Sequence, residues 1–157
     1  MLKIGDIAPE FETVDDSGAP FKLNDFKGQK IVLYFYPKDF TPGCTMEACS
    51  LRDGYTLFEN SGIPIFGVSG GSAELHQKFR KKHDLPFSIL VDEDLSIAKL
   101  YDAYSKLRII GIAVKRITYL IDEEGKIEAI FGGDEGIDKV RSGEHAQQIA
   151  DFWGLKL

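Results

Sequence analysis

Ile31-Val32-Leu33-Tyr34-Phe35-Tyr36-Pro37-Lys38-Asp39-Phe40-Thr41-Pro42-Gly43-Cys44-Thr45-Met46-Glu47-Ala48-Cys49 is the stretch whose reading decides the fold. Its first six residues are apolar or aromatic at every position, with no alternation, which predicts a strand covered on both faces. After Pro37 the period changes. Cys44, Ala48, Leu51, Tyr55 and Phe58 step by four, three, four and three, tracing one stripe of a helix whose first turn carries Cys44. Thr41 is placed to act as its N-cap, Pro42 suits the first helical position, and Glu47 adds an acid early in the helix, where the dipole favours it.

Working outward, Phe11 to Leu23 reads as a short hairpin turning at Asp15-Asp16-Ser17-Gly18. Downstream come a strand at Pro64 to Val68, a helix near Ser72 to His83 with Leu75 and Phe79 inward, a strand at Ser88 to Val91 and a helix from Leu95 to Tyr104. Strands at Arg116 to Ile121 and Lys126 to Phe131 flank the turn Asp122-Glu123-Glu124-Gly125, and a last helix near Ser142 to Trp153 turns Ala146, Ile149, Ala150 and Trp153 to one side. The order is a β-hairpin, βαβαβ, α, ββ, α. Such alternation predicts an α/β fold with a mixed sheet and helices on both sides.

The chain has 157 residues, 43% hydrophobic and 28% charged, and no repeat, low-complexity tract or linker interrupts it, so one domain spanning 1–157 is expected. Its net charge of −6 argues against nucleic acid and anionic lipid as partners. The apolar run Ile31 to Tyr36 is far short of the ~20 residues a membrane helix needs. Asp6 and Pro9 arrive before a signal-peptide core could develop, so the expected address is cytoplasmic. In that reducing compartment a close pair such as Cys44 and Cys49 more often does metal or redox chemistry than structural bridging.

Cys44 falls in the first turn of a helix that springs from the carboxyl end of a buried strand, where open α/β sheets keep their ligand crevice. Free backbone N–H groups and the positive end of the helix dipole favour thiolate over thiol there, the condition for a sulfur nucleophile. The alternative for a cysteine on an apolar helix face is a small core residue, and for Cys49 that reading stays open. Helix geometry sets the two Cα atoms about 8.6 Å apart with side chains rotated by about 140°. A disulfide needs roughly 6.8 Å or less, so the thiols can join only if the first turns unwind.

This passage resembles the peroxiredoxins of the bacterioferritin-comigratory-protein or PrxQ type. The family's Pro-x-x-x-Thr-x-x-Cys signature is matched by Pro37, Thr41 and Cys44, and its resolving cysteine by Cys49. The likeness continues from Gly5-Asp6-Ile7-Ala8-Pro9-Glu10-Phe11 through Asp25-Phe26-Lys27-Gly28 and Gly67-Val68-Ser69 to Arg116-Ile117-Thr118-Tyr119-Leu120-Ile121-Asp122. It departs at Ser69-Gly70-Gly71-Ser72 and at the acidic loop Gly132 to Gly136. The resemblance implies a thioredoxin-like fold and an antioxidant enzyme reducing hydrogen peroxide and organic hydroperoxides. It implies Cys44 as the peroxidatic residue, Cys49 as the resolving one, and thioredoxin or a similar dithiol as reductant, with no bound cofactor or metal and a monomeric or dimeric state. It also implies a role for Arg116. If that strand runs antiparallel beside Ile31 to Tyr36, a guanidinium there reaches the thiol and a peroxide oxygen.

In the implied reaction Gly43, Thr41 and Arg116 steady the peroxide while Pro37 and Pro42 wall off water; Tyr36 and Phe40 either line the pocket or pack the core. Lys115 is read as a solvated edge charge. His76, His83 and His145 show no ligand spacing with the cysteines, which predicts no zinc site, and His76 and His83 fall on a basic stretch read as a solvated face. Two rival functions are weighed. A thioredoxin-type oxidoreductase would use Cys-x-x-Cys and a cis-proline opposite, whereas four residues separate this pair and the last proline is Pro86. A non-enzymatic redox sensor or binding module would not require Thr41, Cys44 and Arg116 together.

Overall fold

The chain opens with a hairpin that pairs β1 (Glu12–Val14) with β2 (Pro20–Lys22). Its turn is held by the Asp15 carboxylate, which accepts from the amides of Ser17 and Ala19 at 2.9 and 3.0 Å. The computed structural model describes the backbone of residues 1–157 and every side chain except that of Arg108. A five-stranded sheet contains β3 (Ile31–Phe35), β4 (Ile65–Ser69), β5 (Ile89–Val91), β6 (Ile117–Ile121) and β7 (Ile127–Phe131) in the order β5-β4-β3-β6-β7. β3 is parallel to β4 and antiparallel to β6, so the sheet is mixed.

β3 is central, and no residue in it is more than 1% exposed. Ile31, Leu33 and Phe35 face a core with Phe11, Phe21 and Tyr101, while Val32 and Tyr34 face a second core. That division accounts for the continuous apolar run: with both pleats covered, neither can be polar. Each fully buried Leu, Ile or Phe here contributes about 2 kcal/mol relative to exposure.

The second core is closed by α1 (Pro42–Asp53), α2 (Tyr55–Asn60), α3 (Ala73–Lys82) and α5 (His145–Phe152), and the first by the hairpin and α4 (Ser96–Leu100). The predicted single helical stripe is split at Gly54. A side chain there would sit 2.9 Å from Ala146 Cβ, so α5 comes too close for anything larger. The helix expected from Leu95 to Tyr104 is only α4, started by Asp92, whose carboxylate accepts from Ile97 and Ala98 amides at 2.9 and 2.8 Å. The helix expected from Ser142 opens instead with a 3-10 turn at Ser142–Glu144.

Candidate active site

Past Phe35 the chain leaves the sheet as a loop that two neighbours hold down. Ser69 Oγ donates to the Tyr36 carbonyl at 2.9 Å, and the Phe40 ring packs edge-on against Phe79 at 5.2 Å. Phe40 adopts a left-handed backbone, φ 65°, a conformation rare for a bulky residue. α1 then begins with Pro42 as its first residue, as expected. Thr41 occupies the N-cap position, and its carbonyl accepts from the Thr45 amide at 2.9 Å. The side-chain cap expected of it is absent: Thr41 Oγ1 turns back to donate to the Lys38 carbonyl at 2.8 Å. The first-turn amides of α1 are therefore left uncapped by Thr41 and face the mouth of the site.

Cys44 is buried, and its sulfur lies 3.3 Å from Arg116 Nη2. Sheet register makes this contact. Phe35 pairs with Ile117, which leaves Arg116 beside the end of β3, where the chain turns into the loop before α1. Gly43 lets the guanidinium in, since a Cβ at that position would stand 3.0 Å from Nη2. Lys115, next along, gives its amide to the Ala103 carbonyl at 2.7 Å instead.

The other arm of the guanidinium, Nη1, donates to Glu47 Oε1 at 2.8 Å. Glu47, read from sequence only as an early-helix acid favoured by the dipole, is wholly buried. Burial pushes its carboxyl from 4.5 to about 7, with Arg116 pulling the other way. Its second oxygen has no hydrogen-bond partner among the described residues; His145 Nε2 is 3.6 Å away. His145 Nδ1 and Gln148 Oε1 are 2.9 Å apart, and because that oxygen only accepts, Nδ1 donates. Nε2 then accepts from Thr118 Oγ1 at 2.7 Å, and burial, reinforced by Arg116, lowers His145 from 6.5 to about 4. The sequence reading assigns neither Glu47 nor His145 to the site; the one available signal is that Glu47 stands between Met46 and Ala48 on a largely apolar helix.

Cys49 is half-buried on the same uninterrupted helix, its sulfur 4.0 Å from His83 Nδ1, and both thiols are free. The solvated face expected for His76 is not found. His76 is completely buried, with Nδ1 2.6 Å from Asp39 Oδ2, while Leu75, expected inward, is half-exposed. Tyr36 belongs to the core and donates its hydroxyl to Asp39 Oδ1 at 2.5 Å. Among the described residues no three metal-ligating side chains converge, and no helix is long and apolar enough to cross a membrane.

A cleft of about 250 Å³ opens beside the loop, lined by Pro37, Leu75, Leu95 and Val114 among others. Another cavity of similar size lies at the opposite end of β3, against Ile31 and Ile121, and holds neither cysteine.

The AhpC/TSA family model matches residues 4–130. Peroxiredoxin Bcp of Bacillus subtilis is 46% identical over 129 residues, covering 80% of this chain and 82% of that protein. The chain belongs to this family, among its Bcp-type peroxiredoxins. The crystal structure of a PrxQ variant from Xylella fastidiosa superposes with a TM-score of 0.87 at 26% identity, over 98% of this chain and 96% of that one. Bacterioferritin comigratory protein of Xanthomonas campestris, described for its alkyl peroxide reduction activity, superposes with a TM-score of 0.82 at 26% identity, over 92% and 90% of the two chains. The fold is accordingly thioredoxin-like. As a Bcp-type peroxiredoxin, the chain is a thiol-based enzyme that reduces hydroperoxides, with Cys44 and Cys49 in keeping with a two-cysteine mechanism.

Proposed function

We propose that Cys44 is the peroxidatic residue and Cys49 the resolving one, acting on hydrogen peroxide and small alkyl hydroperoxides. The observation that carries this is Arg116 Nη2 at 3.3 Å from Cys44 Sγ in a buried site. The guanidinium stabilises a negative sulfur and offers N–H donors to the peroxide. The thiolate attacks the nearer peroxide oxygen, so an S–O bond forms as the O–O bond breaks. The farther oxygen leaves with a proton as water or alcohol, and Cys44 becomes a sulfenic acid. Arg116 and the amides of Gly43 and Cys44 face the charge that spreads over both oxygens. Each donor in a dry site is worth about 3 kcal/mol at the transition state. Thr41, whose hydroxyl proton is engaged by Lys38, accepts from the peroxide O–H and so orients the substrate. Pro37 and Pro42 flank the loop and exclude water, and the cleft beside Leu75 and Leu95 takes an alkyl group.

The first turns of α1 then unwind, and the Cys49 thiol displaces hydroxide from the sulfenic sulfur, giving a disulfide and one water. An external dithiol of thioredoxin type returns both thiols by exchange, as the cytoplasm can supply. One domain, alone or as a dimer, completes the cycle. The test is peroxide consumption with a dithiol reductant and intact mass after rapid mixing. Cys44→Ser should abolish turnover, and peroxide should remove two hydrogens from the wild-type mass. Wild-type rates in Cys44→Ser would sink the assignment; a lasting sulfenic acid with no such loss would make Cys49 a bystander.

A further inference from the structure

One face of α3 and the residue that ends it grips the segment carrying the two thiols. His76, Phe79 and His83, spaced three and four apart, meet Asp39, Phe40 and Cys49 in turn. The first of these contacts is the strongest. His76 Nδ1 lies 2.6 Å from Asp39 Oδ2 with neither side chain exposed, and the other carboxylate oxygen accepts from Tyr36 at 2.5 Å. His76 Nε2 faces the Ser69 carbonyl at 3.2 Å, so each ring nitrogen has an oxygen within hydrogen-bond reach. Without the imidazole, a buried carboxylate is left short of a donor.

We propose that Asp39 and His76 form a positioning lock: the pair holds residues 39–49 docked on α3, and its release sets how fast Cys49 reaches oxidised Cys44. The proposal rests on the assignment of the two cysteines above. Asp39 lies in the loop just before α1, next to Phe40, whose strained backbone is held by its packing on Phe79. The lock forms only in the docked arrangement, so it opposes the unwinding that disulfide formation requires. Losing a buried, charge-assisted hydrogen bond shifts such an equilibrium by about tenfold or more. Disulfide formation draws on the undocked minority and should accelerate by that factor. The peroxide reaction draws on the docked majority and should change by less than about twofold. The sulfenic acid also has a competing fate, since a second peroxide converts it to sulfinic acid with release of water or alcohol. Faster resolution should therefore raise the peroxide concentration that half-inactivates the enzyme.

The experiment is rapid mixing of reduced full-length protein with hydrogen peroxide, followed by quenching and intact mass, which separates sulfenic acid, disulfide and sulfinic acid. His76→Leu should form disulfide about tenfold faster than wild type, with less sulfinic acid at matched peroxide. His76→Gln, whose amide can donate to Asp39, should recover part of the wild-type balance. Ser72→Ala is the control: it removes the hydroxyl that caps α3 at the Leu75 amide, 3.1 Å away, without touching the lock. A wild-type balance in His76→Leu, or an equal shift in Ser72→Ala, overturns the proposal. Should His76→Leu not fold, Asp39→Asn is read in the same way against the same two outcomes. A wild-type protein that forms neither sulfenic acid nor disulfide would overturn the cysteine assignment itself, and the lock with it.

Discussion

Replacing Glu47 by Gln keeps the shape of the side chain and removes its ionisation, and the burial of this carboxyl sets both the sign and the size of the effect. Burial moves it from 4.5 to about 7, which corresponds to about 3 kcal/mol of differential interaction between its two protonation states. Between those pH values the folded chain holds a proton that the unfolded chain has released. Stability contributed by Glu47 therefore falls as pH rises through that window. Glu47→Gln lacks this loss, so the stability difference, variant minus wild type, should climb by about 3 kcal/mol from pH 4.5 to 7. Urea unfolding at fixed salt with reduced thiols measures it. With a slope of about 2 kcal/mol per molar, the two midpoints should separate by about 1.5 M more at pH 7 than at pH 4.5. Parallel midpoint curves across this range would refute the claim that Glu47 is held in a site whose burial outweighs its ion pair with Arg116.

His145→Gln should show the reverse pH trend. The folded chain resists protonating His145 until about pH 4 against 6.5 when unfolded, so wild type gains stability with rising pH there, and the variant should lose about 3 kcal/mol relative to it by urea unfolding. Arg116→Met should cut the second-order rate with peroxide at least about a hundredfold in stopped-flow measurements while leaving circular dichroism unchanged. Gly43→Ala places a methyl group 3.0 Å from Arg116 Nη2, so the guanidinium must give by a few tenths of an ångström beside the sulfur, and the same rate should fall by up to about tenfold. Tyr34 hides a hydroxyl with no partner among the described residues, so Tyr34→Phe should be neutral or stabilising by up to about 1 kcal/mol in thermal or urea unfolding.

The sheet was legible because its central strand carries an unusual signal. A six-residue run without alternation, β-branched and aromatic in large part and ended by Pro37, fits a strand covered twice, and the antiparallel placement of Ile117 beside Phe35 brings Arg116 to Cys44 as the sequence reading anticipated. What escaped that reading was polar and buried. His76 sits among lysines and an arginine in sequence, and nothing local shows that it turns inward to a carboxylate thirty-seven residues earlier. Glu47 looks like an ordinary early-helix acid until Arg116, contributed by a distant strand, is known to lie beside it. Helix lengths failed where termination depended on neighbours: Gly54 ends α1 at a close approach of α5, a contact between segments far apart in the chain. Thr41 is the residue before the helix, as expected, but its hydroxyl donates to the Lys38 carbonyl, a local alternative to capping that periodicity cannot weigh.

That both sulfurs ride on one continuous α1 means that oxidation is recorded in the backbone. A disulfide between them and an intact first turn are mutually exclusive, so the oxidised chain must carry less helix than the reduced one, and the surface met by a reducing protein differs from the surface met by a peroxide. Rewinding two turns takes about a microsecond. The interval during which the enzyme stays partly melted is therefore governed by how long it waits for electrons, and far-ultraviolet ellipticity becomes a gauge of how well the surroundings keep it supplied.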